Sequence, residues 1–134
     1  MERASDDELV RAAWAARKGA LATYSHFAVG AVLEDASGKL WSGANVENAS
    51  YNLGLCAERV ALYHALTHGG RDFRRIAIVA DAATPVPPCG ACRQALLEFA
   101  TEATITLENS AGERRQHTVR ELLPRAFDAS HLRG

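Results

Sequence analysis

Apolar and polar positions along the chain change period several times, and each change marks an element. Leu9, Ala13, Ala16 and Ala20 recur at helical spacing, with Val10 and Trp14 beside them. Ser5-Asp6-Asp7-Glu8 precedes them as a capping box, and its acids suit the positive end of a helix dipole. A helix from Ser5 to about Ala20 is expected. After the polar-aromatic run Tyr24-Ser25-His26-Phe27, Ala28 to Leu33 is nearly all apolar, the mark of a strand covered on both faces. Asp35 to Lys39 supplies a turn, and Leu40 to Val46 returns as the second strand of a hairpin. The stretch Asn45 to Asn52 is polar and without period. A second helix, Cys56 to Thr67, stops at Gly69-Gly70. Val60, Ala61, Leu62, Tyr63, Ala65 and Leu66 make it apolar almost all round, so it is expected to be covered on more than one side. In so short a chain the second side points to a partner subunit.

The later half alternates strand and helix. Arg75 to Ala80 is a third strand. Asp81 to Pro88 is a proline-rich loop. Cys89 to Ala100 reads as a helix with Ala91, Ala95, Leu96 and Phe99 inward. Ala103 to Leu107 and the alternating Arg114 to Val119 follow as strands, the last at an edge, separated by a turn at Asn109 to Gly112. Arg120 to Leu123 makes a short helical turn ended by Pro124, and a polar tail carries Phe127 and Leu132. With no linker or repeat, residues 1–134 read as a single α/β domain with helices on both faces of one sheet. Right-handed crossovers would make the later strands largely parallel.

Composition narrows the function classes. At 134 residues, 48% apolar and 23% charged, the chain has the make-up of an ordinary globular domain. A net charge of -1 argues against nucleic acid as partner, since such proteins carry a basic face. Residues 1–10 hold Glu2, Asp6, Asp7 and Glu8 and no apolar stretch, so no secretory leader is expected. No apolar run has bilayer length, and no membrane association is expected. Three cysteines cannot all pair, which points to a reducing cytoplasm with thiolates free for metal.

All three cysteines fall in two short segments, Leu55-Cys56-Ala57-Glu58-Arg59 and Pro87-Pro88-Cys89-Gly90-Ala91-Cys92. Three thiolates with one open position describe a catalytic zinc site, because a structural site takes four protein ligands. Helix N-termini would present Cys56 on one side and Cys89 and Cys92 on the other, and their partial positive charge favours thiolate. Bound water at such a metal has its pKa lowered towards 7, and Glu58 is placed to exchange protons with it. Arg59 could draw charge off an electron-rich sulfur cluster. A redox Cys-x-x-Cys pair with a stray thiol is the competing reading. His64 and His68, spaced i and i+4, lack the glutamate of a metalloprotease helix and read as an ordinary helix face.

The pairing of Cys56-Ala57-Glu58-Arg59 with Pro88-Cys89-Gly90-Ala91-Cys92-Arg93-Gln94 resembles the zinc-dependent cytidine deaminases, whose signature includes a three-cysteine variant with a non-ligand glutamate. The likeness extends over Tyr24-Ser25-His26-Phe27, Asn45 to Tyr51 and Glu121-Leu122-Leu123-Pro124, and is nearest to the short homotetrameric members. Thr23 departs from a proline often found before the Tyr-Ser pair. The resemblance implies a three-layer α/β/α fold on a mixed five-stranded sheet and one Zn²⁺ per subunit. It implies hydrolytic deamination of cytidine and 2′-deoxycytidine for pyrimidine salvage, with zinc-bound hydroxide attacking C4 and Glu58 shuttling protons. In that family the residue matching Phe27 packs on the pyrimidine. Those matching Asn45 and Glu47 bind the ribose 3′-hydroxyl, and the backbone at Ala57 contacts the base. Those matching Tyr51 and Phe127 build sites shared between subunits. Deamination of an aminonucleoside antibiotic or of a base in RNA, and a non-catalytic zinc-stabilised binding module, are the alternatives.

Overall fold

The computed structural model describes residues 3–132; residues 1–2, with Glu2 of the acidic start, and residues 133–134 lie outside that range. The first helix, α1 (Asp6–Arg17), opens on the expected capping box: Glu8 N donates to Ser5 Oγ at 3.1 Å and Ser5 N to Glu8 Oε1 at 3.2 Å. It ends at Arg17, short of Ala20, in a run of tighter turns through Lys18, Gly19 and Ala20. The hairpin follows as β1 (Val29–Glu34) and β2 (Leu40–Ala44). Then come α2 (Ala57–Thr67), β3 (Arg75–Ala80), α3 (Gly90–Phe99), β4 (Thr104–Glu108) and β5 (Arg114–Thr118).

The five strands form one sheet in the order β2-β1-β3-β4-β5. Only β3 and β4 pair in parallel; β1 is antiparallel to both β2 and β3, and β4 to β5. The later strands are therefore less parallel than expected. Helix α2 does carry the chain from β2 to a strand of the same direction, but β1 lies between them. The β4–β5 link is a tight turn, too short for a crossover. Strand β5 is the charged, exposed edge.

Helix α1 covers one face, packing Leu9, Val10 and Ala13 against Val32, Ala77 and Val79. Helices α2 and α3 cover the other, over Ala31, Leu33, Trp41, Ile76, Ile78, Ile105 and Leu107. This is the three-layer arrangement expected, with the mixed sheet in the middle. Two glycines set the spacing of the layers. A Cβ on Gly30 would come within 2.1 Å of Ala13 O in α1, and one on Gly43 within 2.4 Å of Ala61 N in α2. Bare backbone at these points lets each helix lie directly on its strand.

Helix α3 differs from expectation in its rotation. Cys92 and Leu96 are buried, with Ala95 and Leu97 beside them, while Ala91 is exposed and Phe99 is 46% exposed. A thiol at Cys92 counts as apolar for packing, and it, not Ala91, leads the inward stripe. Helix α2 buries Ala57, Glu58, Ala61, Leu62 and Ala65, leaving Val60 half-buried and Tyr63 exposed on its other side. No helix among the described residues is long and apolar enough to cross a membrane.

Candidate active site

The sheet's helical layer brings two N-termini to one point. Cys56 is the N-cap of α2 and Cys89 the N-cap of α3, both in extended backbone, and neither thiol caps its helix. The sulfurs are thus free to face each other. Cys56 Sγ lies 3.6 Å from Cys89 Sγ, and Cys89 Sγ 3.4 Å from Cys92 Sγ; all three fall within 4.8 Å of one another. Cys92 is buried, Cys56 half-buried and Cys89 exposed.

Arg59, one turn into α2, directs Nη2 at Cys56 Sγ from 3.8 Å. Its Nε is buried and has no acceptor among the described residues. The spare N–H and the three soft sulfurs together fit a divalent ion such as zinc, for which thiolates are favoured ligands and whose electron-rich sulfurs would welcome a further donor. The thiols already share their charge unevenly. Cys56 is pulled down to about 5, first by a hydrogen bond with Cys92, against burial and with help from Arg59. Cys92 is pushed up by the same bond, by burial and by the nearby Glu58 carboxylate. A divalent ion would hold both as thiolates.

Glu58 is the second residue of α2 and only 3% exposed. Burial pushes its carboxyl up to about 7; its own amide opposes this, and the charge on Cys56 adds to it. A carboxyl titrating near neutrality can both accept and return a proton under ordinary conditions.

Beside the sulfurs opens a pocket of about 380 Å³, a size suited to a small molecule. Asn45, Glu47, Tyr51, Cys56 and Arg59 line it, joined by Tyr24, Ser25, Asn48 and Leu55. The structure also shows how two of the expected residues are held. Asn45 Oδ1 accepts from Val29 N at 2.9 Å, and its Nδ2 donates to Phe27 O at 2.8 Å. Glu47 accepts from the amides of Tyr24 at 2.8 Å and Ser25 at 2.9 Å, and from the Ser25 hydroxyl. Those bonds with Ser25 hold the Glu47 carboxyl below the usual carboxylate range. Tyr51 is 78% exposed, its ring 6.1 Å from that of Tyr24. Ala57 is fully buried at the first turn of α2.

Phe27 and Phe127 do not line this pocket. Phe27 is tied through its carbonyl to the pocket residue Asn45, and Phe127 stacks on His131 with ring centres 5.3 Å apart. The sequence alone gives Tyr24 and Ser25 no role. The available signal was a polar-aromatic run without period between a helix and a strand.

The family model for the cytidine and deoxycytidylate deaminase zinc-binding region matches residues 3–108. The chain is 50% identical to a cytidine deaminase of Halalkalibacterium halodurans over 92% of its length and 95% of the relative's. It is 41% identical to a cytidine deaminase of Sporosarcina psychrophila, over 94% of this chain and 93% of that one. A crystal structure of cytidine deaminase from Burkholderia pseudomallei superposes with a TM-score of 0.90 at 45% identity, covering 92% of this chain and all of the other.

Proposed function

The chain belongs to the cytidine and deoxycytidylate deaminase zinc-binding family, and from that premise we propose that it hydrolyses cytidine and 2′-deoxycytidine to uridine and 2′-deoxyuridine, releasing ammonia. Water supplies the oxygen at C4 and the amine leaves as ammonia. The observation that carries this reading is a buried carboxyl, Glu58, two residues from one of three convergent sulfurs.

One Zn²⁺ per chain, held by Cys56, Cys89 and Cys92, would supply a Lewis acid that lowers the pKa of water. The protein's own groups do the rest. Glu58 takes one proton from the attacking water and passes it to ring N3; it then takes the second, from the new C4 hydroxyl, and gives it to the departing amine as the C4–N bond breaks and the C4 carbonyl forms. Its raised pKa suits both directions of transfer. Arg59 offsets the negative charge of the sulfurs. Asn45 and Glu47, on the pocket wall, offer a donor and an acceptor respectively for a ribose 3′-hydroxyl, at the expense of part of their present bonding. The main chain at Ala57 reads the base, and Phe27 packs on it.

The family description spans nucleosides and nucleotides, and the pocket favours nucleosides. Among the described residues that line it the one cation, Arg59, is engaged with sulfur, while Glu47 would face a phosphate with like charge. A clamp on the 3′-hydroxyl also leaves no room for a continuing phosphodiester.

We assign residues 1–134 to one domain acting as a homotetramer in the cytoplasm, where free thiols persist. Exposed Leu21, Val46 and Leu55, joined by the bridges Leu21–Val46 and Val46–Leu55, support the assembly, since a partner subunit would cover them. Tyr51 and Phe127 would complete neighbouring sites within it.

The test pairs a cytidine assay, read as loss of cytosine absorbance, with zinc analysis of wild type and Glu58→Gln. Wild type is expected to turn over with one zinc per chain. The variant should keep zinc and fold while losing about 10²–10⁴-fold in kcat. Wild-type protein with full zinc and no turnover would establish a binding module instead.

A further inference from the structure

The run from Thr84 to Pro88 delivers Cys89 to the sulfur cluster, and three of its five residues are prolines without an N–H. Among the described residues it makes one hydrogen bond. Arg93 Nε donates to Pro88 O at 2.8 Å. The carbonyl of Pro88 precedes the N-cap and lies outside the helical ladder; the first helical bond goes to Cys89 O, from Arg93 N at 2.9 Å. The same guanidinium turns Nη1 to Leu122 O at 2.9 Å, at the end of the short helical turn Arg120–Leu122. The neighbouring Gln94 donates Nε2 to Phe127 O at 2.8 Å. One turn of α3 thus holds two separate segments: the approach to a metal ligand and the C-terminal segment that carries Phe127.

We propose that Arg93 is a positioning residue for the metal centre, a bracket that fixes the Pro88–Cys89 peptide against the C-terminal segment and so sets where the Cys89 sulfur stands. A planar guanidinium with donors in a fixed fork can hold two carbonyls at once; an ammonium, a point charge on a flexible stem, cannot hold them in a set relation. Cys89 is the exposed member of the trio, and among the described residues Arg93 is the one side chain that bonds the backbone leading into it. It is therefore the ligand whose departure opens the site when the bracket is lost. Groups that orient metal ligands from outside the coordination sphere typically govern affinity by about 10–100-fold. This rests on the proposed function only in taking the sulfur cluster as the zinc site.

The experiment reads zinc, not deamination. Zinc-loaded wild type, Arg93→Ala and Arg93→Lys are mixed with a chromophoric chelator, and release is followed in time alongside Tm. Arg93→Ala is expected to release zinc about 10–100-fold faster, with Arg93→Lys between it and wild type. Millimolar guanidinium should slow release from Arg93→Ala by refilling the gap. Arg71→Ala is the control for general loosening, since Arg71 bonds Leu66 O and Gly70 O at the far end of α2. Release from Arg93→Ala within about twofold of wild type overturns the proposal, as does equal acceleration in Arg71→Ala at equal loss of Tm. If Arg93→Ala does not fold, Arg93→Lys decides alone, and a wild-type release rate from it rejects the assignment. Cytidine turnover is read separately, so a chain that fails to deaminate would leave this result standing.

Discussion

Gly43→Ala tests whether the sheet sets the position of the helical turn that carries Glu58. A Cβ there would stand 2.4 Å from Ala61 N, 2.7 Å from Ala57 O and 2.9 Å from Ala61 Cα. All three are backbone atoms of α2, so no rotamer change relieves the clash. Restoring an ordinary 3.4 Å contact requires the helix to lift by about 1 Å. Overpacking of this kind costs about 1–3 kcal/mol, which for a chain this size lowers Tm by roughly 3–15 °C. The lifted turn contains Glu58, the proton carrier of the proposed function, and a 1 Å misplacement of such a group costs on the order of 10²-fold in rate. Gly30→Ala is the matched comparison. Its Cβ would meet Ala13 O at 2.1 Å and Arg17 N at 2.7 Å, an equally rigid obstacle, but on α1, which carries no site residue. The assay is kcat at saturating cytidine, measured well below both melting temperatures, with Tm from thermal unfolding. Both variants should lose stability, and only Gly43→Ala should lose about 10²-fold in kcat. Equal kcat losses in the two, or a wild-type kcat in Gly43→Ala, would refute the argument.

Two further outcomes follow from the core. Asp35 is buried, which by itself raises its pKa, but bonds from Ser37, Trp41 and Lys39 more than compensate and hold it below the usual carboxylate range. Its stabilising effect is then complete above the unfolded value near 4 and fades as pH falls through the lower folded value. Asp35→Asn should cost about 1–3 kcal/mol at pH 7, and its gap from wild type in urea midpoint should narrow below about pH 4; a gap unchanged down to pH 2.5 would contradict this. Leu96→Ala, one turn beyond Cys92 and fully buried, should cost about 2–5 kcal/mol by denaturant titration, and a loss under about 1 kcal/mol would show that the site collapses around the missing side chain.

Much of this protein was legible from local pattern. The capping box at Ser5, the apolar run of β1 and the third strand, Arg75–Ala80, follow from rules that act within a few residues. The sulfur cluster was legible for a different reason: three soft ligands have few other uses in one chain. What escaped depends on contacts between distant segments. Periodicity cannot say that Asn45 spends both ends of its amide on Val29 and Phe27, or that Glu47 gathers the Tyr24–Ser25 loop. It ranked Ala91 and Phe99 as inward because it scores Cys92 no higher than its neighbours, whereas the structure turns α3 so that Cys92 leads. The single parallel pair, β3–β4, likewise reflects where β1 was inserted, which no strand's own composition records.

The chain's two tryptophans sit on opposite faces of the sheet. Trp41 lies in the layer of α2 and α3, its indole N–H on Asp35 and its ring edge-on to His64 at 5.7 Å. Trp14 belongs to α1 and donates to Glu108 at 2.7 Å. Nature has therefore placed one fluorophore in each half of the sandwich. Replacing either by phenylalanine leaves a single emitter that watches one side of the molecule alone, so that loosening of the metal-bearing side can be told optically from fraying of the other.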